Sequence, residues 1–191
     1  MTSAVEDRIL DRVLDLEWSM FVRVKSDRNA PCQRAPDNFR SIRGALFDTW
    51  TEAMLASYLR DLALADIAGR NPLVEKYARM GNQMPVLCDD PLIDRIVAIE
   101  AAWQRDIARR YPKLFERCCR RIDPTGDGRE FAVYLRSELE TYGSETRRLY
   151  HENVSRAAEA GRNLGLEALD RLVRRSGYHD LDHAESNLGK G

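Results

Sequence analysis

The sequence predicts an all-α protein, a single-domain bundle of about five to seven helices joined by short loops. Three observations carry this. Apolar residues recur at three- and four-residue steps in every long segment, Asn-Pro and Asp-Pro pairs stand where helices should begin, and strand-like alternating runs are missing.

The first helix is predicted from Ser3, which with Glu6 makes an S-x-x-E capping box, to about Lys25. Leu10, Val13, Leu14, Met20, Phe21 and Val24 define its buried face, and Glu17 falls in the middle of it, three after Leu14 and four before Phe21. Residues 26–37 carry two prolines without periodicity and read as a loop holding Cys32 and Gln33. One long helix is then expected from about Asn38 to Ala68, stopped by Gly69, with Phe39, Leu46, Phe47, Trp50 and Met54 as its stripe and Arg43 and Asp61 interrupting it.

Asn71-Pro72 starts a short helix holding Leu73, Tyr77 and Met80. Asp90-Pro91 starts a longer one whose face of Ile93, Ile96, Val97, Trp103 and Ile107 has Glu100 near its middle and ends before Pro112. A brief helix around Leu114 and Phe115 gives way to the turn DPTGDG, which lacks the twelfth-position glutamate of a calcium loop. From Arg129 the chain is helical again, with Glu138 between Leu135 and Tyr142 on the buried stripe and Glu140 on the opposite, solvated side. Gly143 and Gly161 bend or divide this segment, and a last helix through Leu169 and Val173 stops at Gly177. The bundle thus spans residues 1–177, and 178–191 form a polar, mobile tail.

With 191 residues, 43% hydrophobic and 32% charged, one domain with a real core is the expectation. A net charge of -1 argues against nucleic-acid partners, and no apolar run approaches a membrane span. A small polar molecule, a protein partner or a second copy remain as partner classes. The N-terminus lacks a signal-peptide pattern and the four cysteines lack zinc or disulfide spacing, so a cytoplasmic protein with reduced thiols is expected. Lysine occurs only at positions 25, 76, 113 and 190; the arginine skew fits a GC-rich bacterial genome.

Three carboxylates on core-facing stripes must be paired, protonated, hydrogen-bonded or metal-bound, because burying a lone charge costs several kcal/mol. Three readings stay open. In one, Glu17, Glu100 and Glu138 are neutralised by Arg43 with the hydroxyls of Tyr77 and Tyr142, a structural network in a module that docks another protein. In the second, they are catalytic acid/base groups around a small polar or cationic ligand, with Arg43 as anion clamp and Asp61, Tyr77, Trp50, Trp103 and Tyr142 as ligand contacts. The third is a carboxylate-bridged iron or manganese bundle. The residues three after the glutamates are Met20, Trp103 and Thr141, not the histidines such bundles use, so neither metal ligand nor cofactor is assigned. No G-x-S-x-G, Walker A, G-x-G-x-x-G or H-E-x-x-H occurs.

The segments LEWSMF (16–21), Cys32-Gln33, FRSIR with Trp50, SYLRDL (57–62), GRN, KYARM, IEAAW with YP, and YLRSELETY (134–142) together resemble a bacterial family catalogued as domain of unknown function 4125. The resemblance covers about residues 7 to 150. It implies an all-helical fold and, having no established activity, transfers no catalytic residue.

Overall fold

Several helix starts fall where a capping side chain precedes the first turn. Asn71 Oδ1 accepts from the amides of Leu73 and Val74, Asp90 Oδ1 from Leu92, and Asn163 Oδ1 from Leu166. The computed structural model describes residues 4–24, 31–124, 126 and 128–188. Ser3 of the expected capping box lies outside them, as do the side chains of Glu6 and Cys32. Among the described residues there are ten α-helices and no strand: α1 (Ala4–Phe21), α2 (Pro36–Phe47), α3 (Glu52–Ile67), α4 (Pro72–Met80), α5 (Pro91–Arg110), α6 (Pro112–Cys118), α7 (Phe131–Leu139), α8 (Ser144–Glu159), α9 (Leu164–Arg175) and α10 (Leu181–Asn187).

The all-α class holds, and the expected five to seven helices undercount it. The long helix expected over 38–68 is two. Thr51 Oγ1 takes the Met54 amide as an N-cap, and Trp50 N bonds back to Phe47 O, so the chain turns between α2 and α3 while both aromatics stay buried. α1 ends at Phe21, short of Lys25, because Gln33 Nε2 reaches back from the 3-10 turn Pro31–Arg34 to the carbonyls of Phe21 and Val24. The segment expected as a polar tail contains α10, whose Leu181 and Ala184 are buried.

α1 packs on α3 and α4, α5 on α7 and α8, and α2 on α9. Residues of α1, α3, α5, α7 and α8 fill the main core; a second cluster, with Ile107, Tyr111, Leu114, Leu169, Val173 and Leu181, sits where α5, α6, α9 and α10 meet. No helix among the described residues is long and apolar enough to cross a membrane.

Candidate functional site

Glu17 is fully buried at the centre of the α1 stripe, and α2 sets Arg43 directly against it. Arg43 Nε donates to Glu17 Oε2 at 2.8 Å and Nη2 to Oε1 at 2.6 Å, a fork-to-fork pair. Nη2 also donates to Glu138 Oε1 at 2.7 Å, so one guanidinium bridges α1 and α7. From α3, the Tyr58 hydroxyl donates to Glu17 Oε1 at 2.7 Å; from the turn after α7, Tyr142 donates to Glu138 Oε1 at 3.1 Å. Lys76 on α4 completes the group, its Nζ donating to Glu138 Oε2 at 3.2 Å and to the Tyr134 hydroxyl at 2.8 Å.

Two acids and two bases therefore share one buried centre, with charges balanced and the carboxylate oxygens hydrogen-bonded. Burial pushes the Glu138 carboxyl up, but Arg43 and Lys76 overcome it and hold it at about 2. Burial likewise pulls the Lys76 ammonium down, and the charge of Glu138 more than offsets that.

Glu100 belongs to a different arrangement. On α5 it accepts a 2.6 Å hydrogen bond from the Tyr150 hydroxyl of α8, and no ion pair among the described residues involves it. Burial pushes its carboxyl up to about 7; the Tyr150 bond acts against this and the nearby Glu138 charge adds to it. Burial holds the Tyr150 hydroxyl protonated, so it stays a donor. Glu100 lines a partly enclosed cavity of about 160 Å³ between α2, α5, α7, α8 and α9. Glu138, Tyr134, Tyr142 and Tyr150 share its wall, and Trp50 lies edge-on to Tyr150 with ring centroids 5.3 Å apart. Gln104, one turn beyond Glu100, also faces the cavity; it makes no hydrogen bond to the described residues, and its buried Oε1 is unpaired.

A family model described as a protein of unknown function, DUF4125, matches residues 7–186. The chain belongs to this family. The match runs from α1 into α10 and takes in both the charged centre and the cavity. No curated protein and no solved structure matches the chain.

Within this DUF4125 chain the expected site residues separate. Glu17, Arg43, Glu138 and Tyr142 meet as described, and Glu100 joins them only through the cavity wall it shares with Glu138 and Tyr142. Arg43, expected as an anion clamp, does not line the cavity and donates to Glu17 and Glu138. Asp61 lies elsewhere, accepting from the Gly143 amide at 2.9 Å and the Thr146 hydroxyl at 2.5 Å, which leaves Ser57 to donate to Thr146. Tyr77 packs beside the Lys76 ammonium, 5.5 Å from its ring centroid, while Tyr58 and Tyr142 supply the hydroxyls to the glutamates. Trp50 reaches the cavity; Trp103 packs at the core margin and does not line it.

Glu140, expected in solvent, is buried and paired with Arg79 at 2.6 Å. The Glu140 amide still bonds to Arg136 O as in a helix, but Arg79 of α4 and the Leu87 amide cover the side it faces, which the wheel of a single helix does not show. Tyr58, Lys76, Tyr134, Tyr150 and Gln104 escaped the sequence reading, though spacing carried a signal. Lys76 lies three after Leu73, Tyr58 between Leu55 and Leu62, Tyr150 four before Val154, and Gln104 four after Glu100. Among the described residues no three His, Cys, Asp or Glu side chains converge as a metal-binding group.

Proposed function

We propose that this chain is a small-molecule-binding helical domain whose site is the cavity beside Glu100, with Glu100 as its acid/base group. One observation carries the reading: a carboxyl without a cationic partner, poised at about 7, lines an internal cavity. Such a group exchanges a proton near neutral pH, as acid/base chemistry requires. Glu17 and Glu138 do not suit that role, because Arg43 and Lys76 keep them paired. The same two cations would repel a metal ion, which counts against the carboxylate-bridged centre. A space of about 160 Å³ matches the roughly 150 Å³ cavities that admit one benzene-sized guest, so the ligand is small.

The test is a fragment screen by ligand-detected NMR on the wild type and on Ala168→Phe, which fills the cavity from α9. Fragments that bind the wild type and are lost in a variant with unchanged circular dichroism support the reading. Ala168→Leu serves if the larger ring unfolds the chain. No binding at all, or binding indifferent to the filled cavity, overturns it.

A further inference from the structure

We infer that the ligand of the Glu100 cavity is a small primary ammonium, an R–NH3+ with a compact apolar body, an inference that rests on the cavity being a ligand site. Among the described residues, the charged side chains on its wall are Glu100 and Glu138, and no Lys, Arg or His lines it. An anion would meet repulsion there, and a neutral guest would leave the charge of Glu100 unanswered. The neighbouring quartet is already balanced, so one positive charge is what the site lacks.

The wall favours the same charge by its rings. Trp50, Tyr142 and Tyr150 cluster at its side with centroids 5.3 to 6.5 Å apart, and aromatic surfaces attract a cation. Hydrogen bonding then separates a primary ammonium from a quaternary one. Glu100 accepts from Tyr150 through Oε1, no described residue donates to its second oxygen, and the buried Gln104 Oε1 is unpaired. An R–NH3+ group brings three N–H donors to these acceptors; a quaternary ammonium brings none.

Proton linkage makes the inference measurable. The titratable groups facing Glu100 are Tyr150 on α8, Glu138 and Tyr134 on α7, and Tyr142 after it, while α2 and α9 present only uncharged residues. Burial holds the Tyr142 and Tyr150 hydroxyls protonated and Glu138 stays ionised near neutrality, so Glu100 is the group that responds. An ammonium entering beside protonated Glu100 expels its proton to solvent, leaving R–NH3+ against the carboxylate. Affinity should therefore rise about tenfold per pH unit below 7 and level off above it.

Isothermal titration calorimetry in buffers of different ionisation heat tests this with benzylamine, benzyl alcohol, benzoate and benzyltrimethylammonium. The expected result is benzylamine bound at least about tenfold tighter than the other three at pH 8, with close to one proton released at pH 6 and few at pH 8. In Glu100→Gln, the preference and the proton release should both vanish. Benzyl alcohol, benzoate or the quaternary ion binding as well as benzylamine overturns the inference, as does amine binding without proton release at pH 6. If none of the four binds, the ammonium assignment fails, and the fragment screen then judges the cavity on its own.

Discussion

Glu17 and Glu100 occupy equivalent places on their helical stripes, yet their surroundings assign them opposite energetics. Glu17 faces a forked guanidinium and a tyrosine hydroxyl, whereas Glu100 has one hydroxyl and open space. Glu17→Gln leaves the Arg43 charge half-answered in a buried site, and a loss on the order of 3 kcal/mol is predicted from urea unfolding. Glu100→Gln keeps an oxygen for Tyr150 and removes a half-buried charge that no cation pairs, so at pH 8 it should unfold at the same or higher denaturant than wild type. Equal large losses in both variants would contradict this division. The inward placing of each glutamate was legible from three- and four-residue spacing alone, although Glu17 is fully buried and Glu100 half-buried. Partner identity was not, because Arg43 lies 26 residues from Glu17 and 95 from Glu138, and no local pattern encodes such contacts.

At the scale of elements, strong punctuation was read correctly and weak punctuation missed. Asn71-Pro72 and Asp90-Pro91 start α4 and α5 as expected, since a capping side chain and a proline are both local. Thr51 gave a quieter signal inside a continuous apolar stripe, and the break between α2 and α3 went unread. α10 is the clearest case of tertiary support. A seven-residue helix is too short to persist alone, but Leu181 enters the second core and Glu185 reaches the exposed amides of α6, accepting from Lys113 at 3.0 Å and Leu114 at 2.8 Å. α6 has no capping side chain of its own at Tyr111, so the carboxylate supplies it. Leu181→Ala should cost about 2–5 kcal/mol and Glu185→Ala about 1 kcal/mol, both read by thermal unfolding. Wild-type stability in Leu181→Ala would mean that α10 contributes nothing to the fold.

Across the whole molecule, two carboxyls shape stability against pH in opposite directions. Glu138 titrates at about 2 when folded, below its ordinary 4.5, so its contribution is present above 4.5 and is lost as pH falls toward 2. Glu100 titrates at about 7, above the same reference, so the folded state holds an extra proton between the two values and stability declines as pH rises from 4.5 through 7. Each effect amounts to about 3 kcal/mol. Unfolding free energies measured from pH 3 to pH 8 should show a decline above pH 5 that is absent in Glu100→Gln. An identical decline in the variant would remove Glu100 as its cause.

Helical class, the burial of Glu17 and Glu138, and the main helix starts follow from short-range order: a period of 3.6 residues and caps within one turn. These are properties of neighbouring residues, and an isolated sequence expresses them. Folding sorted the glutamates into a neutral quartet and a lone carboxyl, turned Glu140 inward to Arg79, and drew α10 onto α6. The cavity also arises there, because it is the space left between five helices rather than a feature of any one. Such outcomes depend on distances between residues far apart in the chain, and those distances exist only once the helices have packed.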